Sequence, residues 1–381
     1  MSESAADSTA AFREAIADGE RMIREAPFIE TAQDLAEGLD YFAGSIRSAI
    51  QMAFAYDLEH PVLINPTHQY ARQGLDNPDA LYFNAYLAEG ASYCLSGRRG
   101  TTADLSFQIM DGTYSADGAP GTVAAFDDRE LDIADDGTFE WRFEGVKGGT
   151  LIIREVYDDW LSEDRGTLRL QRLDTAGVPR GPLDPDRIDK RYAVAAKMLV
   201  GRLRTWFAFP EWFTYKEPVN TLTPATVTPG GLASQYSSIG HYSLTPEQAL
   251  VVTVPVADCA YQAIQIGSAW YVSTDYEHHQ TSLTRAQSVV SAGGLLRYVI
   301  SERDPGIANW LETTGHPRGV MMLRWQRLAM GATVTGPSAR IVEFDELFDE
   351  VPELATQRVD AAEWTARIEA RQVGVARRML S

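Results

Sequence analysis

The apolar positions of the chain recur with two different periods. Before about residue 80 they lie three and four residues apart, first from Ser8 to Ala26 and again after Thr31, which is typical of two amphipathic helices. The apolar stripe of the second helix consists of Leu35, Leu39, Phe42, Ile46, Ile50 and Phe54. Prolines and turn residues in the stretch 60–82 then predict an irregular connection.

From about residue 81 the period shortens to two. One clear run places Phe139, Trp141 and Phe143 on one face of a strand and Glu140 and Arg142 on the other. Short β-rich runs of this kind recur through both later blocks of the chain and are bounded by glycine and aspartate. Their spacing predicts a jelly-roll-like β-sandwich core and leaves open whether the two blocks form one sandwich or two.

Two further helical stripes complete the pattern. One lies between Pro185 and Pro210, and the other occupies the tail, with Trp364, Ile368, Val375 and Met379 on one side. The sequence therefore predicts a mainly β protein with N-terminal helices, one inserted helix and a C-terminal helix. The expected segments are an N-terminal helical segment (1–80), a first β block (81–182), an inserted helix (183–212), a second β block (213–345) and a C-terminal helical tail (346–381).

Composition narrows the range of partners. The 381 residues are 45% hydrophobic and carry a formal net charge of -19. Because such a chain repels phosphates and anionic lipids, we expect neither nucleic acid nor membrane as a partner. Cys94 and Cys259 form no Cys-x-x-Cys pair, and the sequence has neither a signal-peptide pattern nor a long apolar run. These features predict a cytoplasmic protein.

Familiar cofactor motifs are absent from the sequence. It contains no Walker A loop, no G-x-G-x-x-G fingerprint, no G-x-S-x-G elbow and no H-E-x-x-H pair. His278 and His279 are adjacent, so on a strand they would point to opposite faces, and they could share a metal ion only from a loop. We therefore expect no cofactor and no metal.

One segment, residues 301–319, concentrates residues suited to acid/base chemistry. His316 titrates near neutral pH, and a buried carboxylate such as Asp304 could orient it. His241 is an alternative base and Asp275 an alternative orienting acid. The competing interpretation is architectural, because Asp304 can also close a turn that ties the loop.

Candidate substrate contacts lie on the β-rich runs. Arg154 or Arg318 could stabilise an oxyanion, although Arg154 could instead form a carboxylate bridge on its sheet. Trp270 and Tyr271 could shape a pocket, or their strand could present a solvated face. Trp310 is a further candidate contact that could equally anchor its loop in the core.

Four stretches resemble a known family. They are "GLDNPDALYFNAYL", "REVYDDW", "GHYSLTPEQALVV" and "RDPGIANWLETTGHPRGVMMLRWQ", and they resemble the bacterial family called domain of unknown function 1214. The first of them is also similar to the companion domain of unknown function 1254. The resemblance covers most of residues 70–328 and implies a jelly-roll-like β core with helical additions. It implies no activity and transfers no catalytic residue.

These observations support three hypotheses of function. The leading one is an enzyme of small-molecule catabolism, a lyase or hydrolase that uses acid/base chemistry on a neutral, hydroxylated or partly apolar substrate. The second is a non-catalytic β-sandwich protein that binds a sugar or a hydrophobic ligand, and the third is a subunit of a homo-oligomer. An enzyme needs a histidine and a carboxylate together at the floor of a cavity, whereas a binding protein needs tryptophan and tyrosine side chains without that pair.

Overall fold

The computed structural model describes residues 8–212, 214–227, 232 and 234–380. It consists mostly of antiparallel β-sheets, with helices at the N-terminus, one inserted helix and a C-terminal helix. The predicted fold class is therefore confirmed. No helix within these described residues is long and apolar enough to cross a membrane.

The first β block forms a sandwich of its own. Its strands are β1 (Ala80–Tyr86), β2 (Ser92–Arg98), β3 (Asp104–Met110), β4 (Thr122–Asp127), β5 (Thr138–Glu144), β6 (Thr150–Val156) and β7 (Thr167–Arg172). One sheet has the order β1-β6-β3-β4 and the other the order β5-β2-β7. Leu95, Phe107, Phe139 and Ile153 are among the buried side chains that fill the space between the two sheets.

The second β block forms a second sandwich. Its strands are β8 (Thr221–Leu222), β9 (Thr226–Val227), β10 (Tyr236–Ser243), β11 (Gln248–Pro255), β12 (Cys259–Gly267), β13 (Ser282–Thr284), β14 (Val290–Ser291), β15 (Leu295–Ser301), β16 (Trp310–Glu312), β17 (Arg318–Leu328) and β18 (Ser338–Glu343). One sheet has the order β13-β12-β17-β10-β8, with β9 also on β10; the other has the order β14-β15-β11-β18, with β16 parallel to β15. Val252, Ile264, Tyr298 and Trp325 belong to its separate core.

Three helices pack together beside the sandwiches. They are α1 (Ala10–Arg24), α2 (Ala32–Ala55) and α3 (Pro185–Trp212), and the inserted helix α3 shares one apolar core with the two N-terminal helices. Thr31, after which the sequence predicted a second helix, is the N-cap of α2, and its hydroxyl accepts from Asp34 N in a capping box.

The C-terminal part contains α4 (Leu347–Glu350) and α5 (Ala361–Leu380). Helix α5 packs on its own chain through arginines. Arg371 donates to Tyr276 O (2.8 Å) and Ser282 O (2.8 Å), and Arg378 donates to Pro78 O (2.7 Å). The helix therefore contacts the second β block and the segment that leads into β1.

The two sandwiches meet through outer sheet faces. Val156, on the sheet of β1, packs against Tyr261 and Ala263 of β12. Beside this contact the Tyr261 hydroxyl donates to Asp79 Oδ2 (2.6 Å), and Trp160 Nε1 donates to Asp79 Oδ1 (2.8 Å). Around Val156 and Tyr261 the two sheet faces are in direct contact. Farther along, the same two faces enclose a cavity.

Candidate functional site

A cavity of about 480 Å³ lies between the two sandwiches and the helices α2 and α3. Because successive strand residues point to opposite faces, the residues of β6 that alternate with the core residues Leu151 and Ile153 face outward into this cavity. The strand residues that line it include Tyr82, Asn84 and Tyr86 on β1, Met110 on β3, Thr150, Ile152 and Arg154 on β6, and Met322, Arg324 and Gln326 on β17.

Helices close the cavity and form its mouth. Ser48, Ala49 and Met52 line it from α2, and Met198, Gly201, Arg202, Trp206 and Phe209 line it from α3. Lys197 and Thr113 also belong to the lining and are exposed, so the mouth lies between α3 and the loop after β3. The wall thus combines apolar, aromatic and cationic side chains, as ligand pockets commonly do.

Three arginines reach the wall from different elements. Arg154 donates to Gln108 Oε1 (2.9 Å), and Arg324 donates to Leu75 O (2.6 Å) and to Gln265 Oε1. Arg202 donates to the Ser48 hydroxyl (2.8 Å) and to the backbone carbonyl of Arg72 (2.8 Å). Burial lowers the pKa of Arg202. The carboxylate bridge considered for Arg154 is not formed with any described residue.

Asp76 is the acidic residue of the described wall. Its carboxyl group is buried, and it accepts from Ser273 N (3.0 Å) and from the Ser273 hydroxyl (2.7 Å). Burial raises the pKa of Asp76, against the opposing effect of nearby arginines such as Arg72. A carboxyl group in this environment retains a proton at higher pH than an exposed aspartate.

Some polar groups of the wall are not satisfied by the protein. Tyr86 and Thr150 are directly opposite each other on β1 and β6, and neither hydroxyl has a hydrogen-bond partner among the described residues. The same holds for Gln326 Oε1. The Tyr82 hydroxyl accepts from Asn77 N (3.0 Å), which leaves its own proton available to an acceptor in the cavity.

His316 lies outside the described wall of the cavity and under a turn. It is 4% exposed; its Nδ1 is 2.8 Å from Thr313 O, and its Nε2 is 2.8 Å from Glu37 Oε1. Both ring nitrogens face oxygen acceptors, which the protonated ring satisfies best. The carboxylate beside His316 is that of Glu37 on α2, whereas the expected pairing with Asp304 does not occur.

The other proposed acid/base residues are separate from one another. Asp304 is exposed and accepts from Gly306 N (2.7 Å), as a turn-closing residue does. His241 Nε2 is 2.9 Å from Glu217 O, and Asp275 accepts from Glu277 N (3.0 Å). None of these three side chains belongs to the described wall of the cavity.

Most of the proposed substrate contacts serve packing. Arg318 pairs with Glu30 (2.8 Å). Trp310 packs on Trp364 with a ring-centroid distance of 5.0 Å, and Trp270 is buried in the helical core. Arg154 and Tyr271 are the two that line the cavity. Tyr271 lies in a turn, at φ 55°, where the sequence predicted a strand.

The sequence analysis missed Arg324, Arg202, Tyr82 and Asp76. A signal was present for Arg324, because Arg324 and Gln326 are polar residues that alternate with the core residues Leu323 and Trp325 in one strand. Polar residues of this kind on a strand that other elements cover on both faces indicate a buried polar site. Arg202 and Asp76 carry no comparable local signal.

The Glu37–His316 pair is expected to make stability depend on pH. Burial alone would lower the pKa of His316, but the hydrogen bond and the charge of Glu37 outweigh burial and raise it above 6.5. Because the pKa of His316 is higher in the folded protein than in the unfolded chain, the pair with Glu37 stabilises the fold fully when the pH is below the unfolded-state pKa. This stabilisation is lost as the pH rises through the folded-state pKa. Replacing Glu37→Gln should therefore cost about 1 kcal/mol at about pH 6 and much less at about pH 9.

Urea unfolding of the unmodified protein and of Glu37→Gln, each at about pH 6 and about pH 9, measures how the loss of stability depends on pH. Glu20→Gln is the control, because Glu20 pairs with Arg24 on the surface of α1 and has no histidine partner. An equal loss of stability at both pH values in Glu37→Gln would contradict the assignment.

Comparison with known proteins adds a fold relationship and no activity. No family model matches the chain, and no curated protein matches it. A crystal structure of an uncharacterised protein from Burkholderia cenocepacia is similar, with a TM-score of 0.81 and 28% identity over 89% of this chain and 98% of that chain. A protein from Vibrio parahaemolyticus has 12% identity over 80% of this chain and 98% of its own. Its TM-score of 0.43 is too low to support a structural relationship. The resemblance to domain of unknown function 1214 stays a prediction.

Proposed function

We propose that this protein binds a small organic molecule with a largely apolar body in the cavity between its two sandwiches. The observation that carries the proposal is a cavity of about 480 Å³ whose wall mixes aromatic and polar side chains. Pockets that bind small molecules in proteins commonly have volumes of about 300–1,000 Å³ and this kind of lining.

The lining favours binding over acid/base catalysis. The described wall holds Tyr82, Tyr86, Tyr114, Trp206 and Tyr271 but no histidine. Aromatic side chains without a histidine–carboxylate pair are what the binding hypothesis requires. The hypothesis of a lyase or hydrolase remains a proposal that would depend on Asp76, the acidic group of the described wall.

The test is binding of phenylnaphthylamine, a neutral apolar dye whose fluorescence rises in an apolar site. We expect saturable binding of one dye per chain. A side chain added at Gly201 should obstruct it, because Gly201 lines the cavity and a Cβ there would meet nothing within 4 Å. Gly201→Phe should weaken binding by about tenfold or more, since it places a ring in the mouth.

The matched control is Ala193→Phe, which adds the same side chain to an exposed position of α3 outside the cavity wall. It should bind the dye as the unmodified protein does. Absence of saturable binding to the unmodified protein, or identical binding to Gly201→Phe, would refute the proposal.

A further inference from the structure

The cavity differs in charge from the rest of the chain. Its described wall carries four basic side chains, Arg154, Lys197, Arg202 and Arg324, and one acidic side chain, Asp76. The chain as a whole carries a net charge of -19. A cavity wall with a net positive charge attracts anions even in an acidic protein. It therefore makes the cavity more selective for anions than a neutral wall would.

Arg154 provides a cation in the described cavity wall. It lies on β6 between Tyr82 of β1 and Ser106 of β3, and its hydrogen bond goes to Gln108 Oε1, an uncharged acceptor. No described carboxylate forms an ion pair with it. The guanidinium group retains donors that can hold a carboxylate in the two-pronged geometry that arginine favours.

Arg324 provides a second cation from the facing sheet. Its side chain is 6% exposed, and its acceptors are the neutral oxygens of Gln265 and Leu75. It too forms no ion pair with a described carboxylate. The charge of the buried Asp76 acts on Arg324 from beyond ion-pair distance, and an anionic ligand in direct contact would further compensate the burial of this guanidinium group.

Tyr82 lies beside both arginines in the cavity wall. It is directly opposite Arg154 on the neighbouring strand, and Arg324 lines the same cavity from β17. Burial raises the pKa of the Tyr82 hydroxyl and the charge of Asp76 acts in the same direction, whereas Arg324 and Arg154 act to lower it. The Tyr82 hydroxyl accepts a hydrogen bond from the backbone N–H of Asn77, so this bond does not involve the hydroxyl proton. Two guanidinium groups and a phenol proton thus belong to the wall of the same cavity.

We propose that the ligand of this cavity is an organic anion, with its carboxylate or equivalent acidic group held by Arg154, Arg324 and Tyr82. Its apolar body lies against Met110, Met198, Phe209, Trp206 and Met322, which line the same cavity. The proposal rests on the proposed function, because it assigns a charge to the small molecule that the cavity binds.

A pair of dyes that differ by one charged group tests the inference. Anilinonaphthalene sulfonate is phenylnaphthylamine with a sulfonate added, so the two share a ring system. We expect the anionic dye to bind about tenfold more tightly, as charge-assisted hydrogen bonds would provide. Arg154→Gln should weaken binding of the anionic dye by about tenfold more than it weakens binding of the neutral dye, while Arg154→Lys should retain part of the advantage of the anionic dye.

Competition repeats the comparison with a carboxylate. Octanoate should displace the neutral dye from the unmodified protein at lower concentration than octanol, and Arg154→Gln should remove the difference. Arg142→Gln is the control, because Arg142 is exposed on β5 and outside the cavity wall. Gly201→Phe should block both dyes.

The outcomes separate the two proposals. If the neutral dye binds in the cavity but the anionic dye binds no more tightly, or if Arg154→Gln weakens both dyes equally, the assignment of an anion is wrong and the binding function stands. If neither dye binds saturably, or Gly201→Phe leaves both unaffected, the binding function itself is wrong.

Discussion

Arg378→Ala is expected to lower the free energy of unfolding by about 4 kcal/mol. Arg378 is 6% exposed, its guanidinium carbon lies 4.0 Å from the centroid of the Trp160 ring, and it donates to Pro78 O (2.7 Å). Alanine would remove the stacking and the hydrogen bond, and would leave a void against Trp160.

The positive charge of Arg378 also contributes to stability, because it acts on the buried Asp79. Burial raises the pKa of Asp79, and the nearby charges of Arg378 and Arg371 act in the opposite direction. Without Arg378, the Asp79 carboxylate would lose one of the charges that compensate its burial. Loss of one member of a buried charged group costs more than the same interaction contributes on a surface.

Arg377→Ala provides the control at the neighbouring position of the same helix. Arg377 pairs with Asp164 at 2.5 Å, but their side chains are 38% and 69% exposed. Removal of an exposed pair should cost no more than about 0.5 kcal/mol. Urea unfolding of the two variants gives the comparison, and losses of equal size would show that α5 is not anchored through Arg378.

Helix α5 illustrates a limit of hydrophobic patterning. The tail was correctly predicted to be helical, and Val375 is buried as expected. Met379, which the pattern placed on the apolar side, is 50% exposed, whereas Arg371 and Arg378 are buried. A pattern of hydrophobic and polar positions counts every arginine as polar. It therefore does not predict that the aliphatic part of an arginine packs in the interior while its guanidinium group stacks on a tryptophan.

Local patterns predicted the sandwiches and the helices because their cores consist of residues that alternate or recur within single elements. The cavity arises differently. Its wall combines β1, β6, β17 and two helices that meet only when whole elements pack. The same holds for His316, whose acidic partner Glu37 is 279 residues away along the chain. No spacing rule connects residues so distant, so Asp304, a neighbour in sequence, was the partner that the sequence suggested.

The same substitution in two helices is expected to have opposite effects on stability. Gly38 of α2 lies against Trp270, and a Cβ at Gly38 would overlap the tryptophan ring. A Cβ at Gly201 of α3 would meet nothing within 4 Å. We expect Gly38→Ala to lower the free energy of unfolding by about 3 kcal/mol, as overpacking does, and Gly201→Ala to raise it by about 0.5–1 kcal/mol, because alanine favours a helix interior.

The Trp270 ring cannot move aside to accept the new methyl group. Its Nε1 donates to Asp34 O (2.8 Å), and the aromatic rings of Phe28 and Phe207 contact it with centroid distances of 4.7 and 5.7 Å. Trp270, proposed from sequence as a substrate contact, is therefore a packing residue that holds α2 through Gly38 and Asp34. A smaller ring should relieve the overlap, so Trp270→Phe should cost less in the Gly38→Ala background than in the unmodified protein. Urea unfolding of the four proteins measures this coupling, and additive losses would show that Gly38 and Trp270 do not interact.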